Sequence, residues 1–198
     1  TLDNLGTEDN PITWQYVDGQ ADTRKAHITI KADSVNHSTD KDYVLSVSYT
    51  DRSGNVYSGY TSKKLVMDTT IPELVASYNS SRVEPNNANG ILYFNDDMTV
   101  TLKLTERNFK SDVVIVKYTV DGANETTVSN SSITWTDDAN DSRNIHTGVF
   151  TLPKTVNGDY KIKVQYKDFA NNSMPDYTSN TLLIDTVNPT VNVKYDPT

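Results

Sequence analysis

Residues Asp42 to Asn79 align without a gap onto Asp159 to Asp196, at a constant offset of 117 (159 − 42). Fourteen of those 38 pairs are identical, among them Tyr43/Tyr160, Val47/Val164, Tyr49/Tyr166, Asp51/Asp168, Asn55/Asn172, Asp68/Asp185 and Pro72/Pro189. Upstream, Ile12-Thr13-Trp14 matches Ile133-Thr134-Trp135 at an offset of 121 (133 − 12), so a few loop residues separate the copies there. A repeat of this length is domain-sized, well beyond a solenoid unit of about 20–45 residues. The chain therefore reads as a tandem array of domains, and this limits it to folds that one such repeat can complete.

Composition narrows the class. A hydrophobic content of 35% and a mean hydropathy of −0.58 suit small sheets with one wet face each. The net charge of −8 is spread along the chain. That opposes nucleic acid, which requires a basic stripe, and opposes an anionic membrane surface. No run of apolar residues is long enough to span a bilayer, so no membrane insertion is expected. The chain has no cysteine, whereas small domains of oxidising compartments usually carry disulfides. This points to the cytosol or to a bacterial surface. Thr1 opens in the middle of a pattern, so any targeting sequence is expected outside this chain.

Strand patterns dominate. Val100, Leu102 and Leu104 alternate with Thr99, Thr101 and Lys103, and Tyr160, Ile162, Val164 and Tyr166 alternate with polar neighbours. Tyr43 to Tyr49 repeats the second pattern. Period two with β-branched and aromatic residues on one side predicts half-buried strands. The continuous run Asp112 to Val120 is also read as a strand, with at least two of Val113 to Val116 buried. No helix is predicted. Turns are expected at Asp51-Arg-Ser-Gly-Asn55 and Asp168-Phe-Ala-Asn-Asn172, and linkers at Asp68-Thr-Thr-Ile-Pro72 and Asp185-Thr-Val-Asn-Pro189, where proline ends the ladder.

Strands are expected near 73–78, 91–94, 98–106, 112–120, 132–136, 146–152, 159–167 and 177–185. Short strands at this spacing indicate an Ig-like sandwich, and Tyr160 and Tyr43 stand where a corner tyrosine belongs. The expected fold is all-β, with tandem Ig-like β-sandwich domains. Residues 1–69 form the C-terminal part of one repeat, 70–188 a complete repeat, and 189–198 the first strand of a third. In the third, Val191 to Tyr195 matches Leu74 to Tyr78. Nothing in 1–69 matches the segment 73–121. Either residues ahead of Thr1 or another polypeptide is expected to complete that sandwich.

Thr105-Glu-Arg-Asn-Phe109, Trp135, Gly158-Asp-Tyr160, the Asp-x-x-Gly-Asn turn and the Asp-Thr-x-x-Pro linker together resemble the extracellular Ig-like repeats of surface proteins from Gram-positive bacteria, especially gut Firmicutes. The resemblance covers the complete repeat and the visible part of the first. It departs at Asn171, where glycine is usual; asparagine tolerates the left-handed geometry. It implies an extracellular location, attached to the bacterial surface or cell wall, and a role as stalk, adhesin or binder of host proteins, including host immunoglobulin. Neighbouring repeats of the same polypeptide are further partners. Passive spacer repeats, or accessory domains of a surface glycosidase, are the alternatives.

No catalytic group is expected. His27, His37 and His146 form no nucleophile pattern with Ser and Asp, and the chain has neither a Gly-rich phosphate loop nor His-Glu-x-x-His. His27 and His146 occupy equivalent positions, each starting a strand, and are read as packing or turn residues. No cofactor is implied. Asp51, Ser53 and Asn55, then Asp96 with Asp97, then Asp137, Asp138 and Asp141 offer hard oxygen ligands, but no twelve-residue calcium loop is present. Asp51, Asn55 and Asp68 are the calcium candidates; a turn accounts for the first two and a capping hydrogen bond for the third, so no metal is expected. Lys103, Lys161 and Lys163 fall on outward phases, which opposes an isopeptide crosslink. Trp14 and Trp135 share a repeat position and are read as packing residues. Tyr16 and Tyr57 differ between the copies and Tyr93 stands alone near a turn; these three are the candidate binding residues, since tyrosine gives large contact area at small entropic cost.

Overall fold

A computed structural model describes residues 12–30, 41–79, 90–138 and 144–195, with 82–83 as backbone. The chain divides into two compact units, Thr1–Thr69 and Thr70–Thr198. His37 and Asp141 lie outside the described residues.

The second unit is built of β7 (Glu73–Tyr78), β8 (Arg82–Val83), β9 (Leu92–Phe94), β10 (Met98–Thr105), β11 (Ile115–Val120), β12 (Thr126–Thr127), β13 (Thr134–Asp137), β14 (Ile145–Leu152), β15 (Gly158–Gln165), β16 (Tyr177–Thr178) and β17 (Leu182–Ile184). One sheet runs β13-β14-β10-β7, and the other β12-β11-β15-β17-β9-β8, with β16 beside β15. All the pairings are antiparallel except β17 with β9, which run parallel.

The alternation in sequence becomes the core. Val100, Leu102 and Leu104 from one sheet and Val116, Ile162, Val164, Leu182 and Ile184 from the other are fully buried, within one cluster that also takes Tyr166. Each such side chain contributes about 1.5–3 kcal/mol relative to leaving it exposed. Lys103, Lys161 and Lys163 point outward, as their phase requires.

Three expected strands are shorter than their patterns suggest. The run 112–120 does not begin as a strand: Ser111–Val113 form a 3-10 turn, because the Val113 and Val114 N–H groups donate to the Lys110 and Ser111 carbonyls and so leave the ladder. Of the four residues in its apolar run, Val114 and Val116 are buried, while Val113 and Ile115 face solvent. Likewise Asn130–Ser132 turn before β13 starts at Thr134. The segment 177–185 breaks at Ser179, whose Oγ accepts the Ile162 N–H (2.9 Å) while its own N–H donates to the Ile162 carbonyl (2.9 Å). One side-chain hydroxyl thus stands in for a ladder rung, and β16 and β17 become separate strands.

The first unit holds β1 (Trp14–Val17), β2 (Gln20–Ala26), β3 (Lys41–Tyr43), β4 (Ser46–Thr50), β5 (Val56–Thr61) and β6 (Leu65–Met67), paired as β1-β2, β3-β6 and β4-β5. Two of these registers recur 117 residues later. Lys41↔Met67 and Tyr43↔Leu65 correspond to Gly158↔Ile184 and Tyr160↔Leu182. Ser46↔Thr61 and Val47↔Tyr60 correspond to Lys163↔Thr178 and Val164↔Tyr177. The serine device recurs too: Leu45 N–H donates to Ser62 Oγ at 2.9 Å. Burial does not recur. Tyr49 and Leu65 are 63% and 45% exposed, where Tyr166 and Leu182 are 3% and 0%. His27 is exposed and follows β2 rather than starting a strand. Residues 189–195 form no strand, and Val191 and Tyr195 are exposed.

Candidate functional site

The densest polar cluster of the second unit lies where β10 ends. The Glu106 N–H donates to the Asn144 carbonyl at 3.0 Å. Its carboxylate accepts the Asn108 N–H at 2.6 Å, and its carbonyl lies 2.8 Å from His146 Nε2. The other ring nitrogen of His146 is 2.6 Å from the Asp137 carboxylate. Phe109 covers the imidazole, with ring centroids 4.2 Å apart and planes at 15°, and tilts against Trp135 at 4.8 Å. Trp135 in turn lies over its cross-strand partner Gly148, where an added Cβ would stand 2.8 Å from the indole ring. Both ring nitrogens of His146 are engaged and its ring is stacked on Phe109, which makes it a packing residue, as the repeat position suggests.

Asp168 opens the adjoining turn. Its Oδ1 accepts the Asn172 N–H and its Oδ2 the Asn172 side-chain amide, both at 2.8 Å, and Asn171 takes a left-handed φ of 74°. Asp168 and Glu106 are buried and bring one carboxylate oxygen each within 4.8 Å of the other. These are hard oxygen donors of the kind calcium takes, two of the six to eight it requires. Both carboxylates also accept hydrogen bonds from the chain itself, Asp168 within its turn and Glu106 from the Asn108 N–H. Glu106 was legible as an acid directly after an alternating strand. Its approach to Asp168, 62 residues on (168 − 106), was not.

Asp51, at the matching turn of the first unit, accepts the Ser53 and Asn55 N–H groups and the Asn55 amide, each at 2.8 Å. The Asn55 side chain foremost, then its N–H, holds the Asp51 carboxyl below the usual value of 3.8. Asp68, beyond β6, is buried. The turn hydrogen bonds alone explain the pairing of Asp51 with Asn55.

The three tyrosines lie on three different strands. Tyr16, 72% exposed, lies on β1 with the Arg24 guanidinium 3.4 Å from its ring centre, a cation–π contact. Tyr57 lies on β5, exposed and opposite Tyr49. Tyr93 belongs to β9, within the strand expected at 91–94, and is half-buried and paired with Leu183. Trp14 is 56% exposed, so the packing role holds for Trp135 and not for its counterpart.

On the outer face of β11 and β15, Glu125 bridges Lys117 (3.0 Å) and Lys163 (2.5 Å), with its carboxyl held low first by Lys163 and then by Lys117. Gln165 donates to Asp176 at 2.7 Å. These are exposed pairs of small energetic weight. No helix among the described residues is long and apolar enough to cross a membrane. Compared with known proteins, the chain matches no family model and no curated sequence.

Proposed function

We propose that the chain is a non-catalytic module of Ig-like repeats displayed on a bacterial surface, where it engages a host protein. The observation that carries the repeat reading is the pairing register, which recurs at the same offset as the sequence: Tyr43↔Leu65 and Tyr160↔Leu182. The Ig-like reading is supported by strand order. β7-β10-β14-β13 beside β11-β15-β17 corresponds to the ABED and CFG sheets of that architecture. Tyr160 adds to it, since its hydroxyl donates to the Val156 carbonyl at 2.9 Å, four residues upstream, as a corner tyrosine does.

Binding is favoured over catalysis because the polar cluster at Glu106 is occupied by the chain's own donors, while Tyr16 and Tyr57 stand exposed. The host partner rests on the resemblance alone, and immunoglobulin is the first protein to test. Pooled immunoglobulin passed over the immobilised chain, with and without chelator, is expected to be retained equally in both conditions. No retention removes the named partner, and retention lost with chelator removes the metal-free mode.

A second reading, a stalk that holds another domain away from the wall, is favoured by Pro72. This linker residue is fully buried, which stiffens the start of the repeat. Capture of any host protein at micromolar affinity or better by the full chain speaks against a passive stalk. An accessory role beside a glycosidase differs only in the flanking sequence.

A further inference from the structure

The longest regular sheet edge of the second unit is β7. Among the described residues it pairs only with β10, in unbroken register from Glu73↔Thr105 to Tyr78↔Val100. The other edges are shorter: β13 has four residues, and β8 and β12 have two each. Proteins usually blunt such an edge with proline, lysine or a bulge. The stretch Glu-Leu-Val-Ala-Ser-Tyr contains none of these.

Beside this edge runs a groove of about 490 Å³, with β7 and the residues before it as one wall and the segment 174–177 as the other. Ile71 and Val75 line it and are 55% and 65% exposed; Met174 and Pro175 face them. Each wall carries one carboxylate, Glu73 and Asp176, and no cation lines the groove. Alternate side chains of an added strand would point into it, because strand side chains alternate with period two.

Resting on the protein-binding reading above, we infer that β7 and this groove dock an extended segment of a partner protein in which apolar residues alternate and lysine or arginine flanks them. The partner strand extends the β13-β14-β10-β7 sheet through backbone hydrogen bonds. Its inward, apolar side chains cover Leu74 and Pro175 in the groove, its outward side chains lie beside Val75, and its flanking cations meet Glu73 and Asp176. Charge complementarity selects the occupant: an acidic strand would place like charges against both walls.

The test uses the full, isotope-labelled chain and two capped synthetic peptides, Lys-Val-Thr-Val-Thr-Val-Lys and its counterpart with glutamate at both ends. The lysine peptide is expected to shift the backbone amides of Glu73–Ser77, Met174, Asp176 and Tyr177, and to slow hydrogen exchange at Leu74 and Ala76, whose N–H groups point away from β10. The glutamate peptide, or the Glu73→Lys/Asp176→Lys variant with the lysine peptide, is expected to bind about fivefold more weakly, as loss of two exposed ion pairs implies. Ala76→Pro, which removes an N–H pointing away from β10 and leaves the Val75–Lys103 ladder pair intact, provides a second variant, checked for an unchanged melting temperature. Unshifted β7 amides at millimolar lysine peptide overturn the inference, as does equal binding to the charge-reversed variant. A host protein retained equally by the wild type and both variants leaves the general binding reading standing and sinks this one. Peptide docking with no host protein retained does the reverse.

Discussion

The two units share a strand pattern and differ in what lies under it. Leu65 and Leu182 are the same residue at the same repeat position, opposite Tyr43 and Tyr160 in the same register, yet one is 45% exposed and the other fully buried. Pairing is thus specified by segments close in sequence, through turn and strand chemistry. Burial comes from strands distant in sequence. In the second unit β10 and β11 supply Val100, Leu102, Leu104 and Val116 to the core, and the described residues of the first unit include no counterpart of those strands. Backbone order in one place and a dry interior in the other show that the two can be separated.

The largest expected effect tests this directly. Leu182→Ala should destabilise the second unit by about 2–5 kcal/mol, the range for emptying a packed core position. Leu65→Ala should cost at most about 1 kcal/mol, as at a surface site. Urea titrations read from resolved resonances of each unit separate the two losses. Equal losses would break the comparison.

The serine bridges sharpen it. Ser179→Ala leaves the Ile162 N–H buried without its acceptor and should cost about 1–3 kcal/mol. Ser62→Ala, at a half-exposed residue where water replaces the hydroxyl, should cost less than half as much by the same measurement. Amide exchange at Ile162 should quicken far more than at Leu45.

A third pair concerns the tryptophans. Gly148→Ala drives a methyl into the Trp135 ring and should cost about 1–3 kcal/mol, with a red-shifted fluorescence as the indole is displaced. In the first unit Trp14 is paired with Ala26, which already carries that methyl, and its indole is exposed. Ala26→Gly should therefore leave its emission where it was.

The smallest effect is electrostatic. Asp51 lies at the surface and its folded pKa is depressed, so its contribution is present above the unfolded value of 3.8 and fades as pH falls through the folded one. Its carboxyl carbon should titrate below 3.8, and Asn55→Ala should move the midpoint upward, because the Asn55 side chain is the largest cause. A midpoint unmoved by that substitution would mean that the backbone donors alone hold it.

Much of this was legible in the sequence, for a physical reason. Alternation at Val100–Leu104 and Tyr160–Tyr166 fixes which face is buried, and the Asp/Asn spacing at 51–55 and 168–172 fixes a turn whose hydrogen bonds are local. What was not legible depended on contacts over long range or on competition for a donor. The strand start at Ile115 instead of Asp112 turns on two N–H groups choosing nearby carbonyls. The break at Ser179 depends on one hydroxyl, invisible in a run that otherwise reads Tyr-Thr-Ser-Asn-Thr-Leu-Leu-Ile. Trp14 and Trp135 look equivalent until burial separates them, and Glu106 meets Asp168 only through the fold.

The shared register has a consequence for how such a chain reaches its native state. β3 and β15 accept partners of the same length, spacing and apolar character, so β17 is a ready substitute for β6. The native pairing Tyr160↔Leu182 closes 22 residues (182 − 160), while a crossed pairing of Tyr43 with Leu182 closes 139 (182 − 43). Loop-closure entropy separates these by only about 1.6 kcal/mol. Strand exchange between copies is therefore a standing hazard during folding. Synthesis delivers residues 41–67 before 158–184, and the two segments differ in their side chains; both disfavour the crossed pairing.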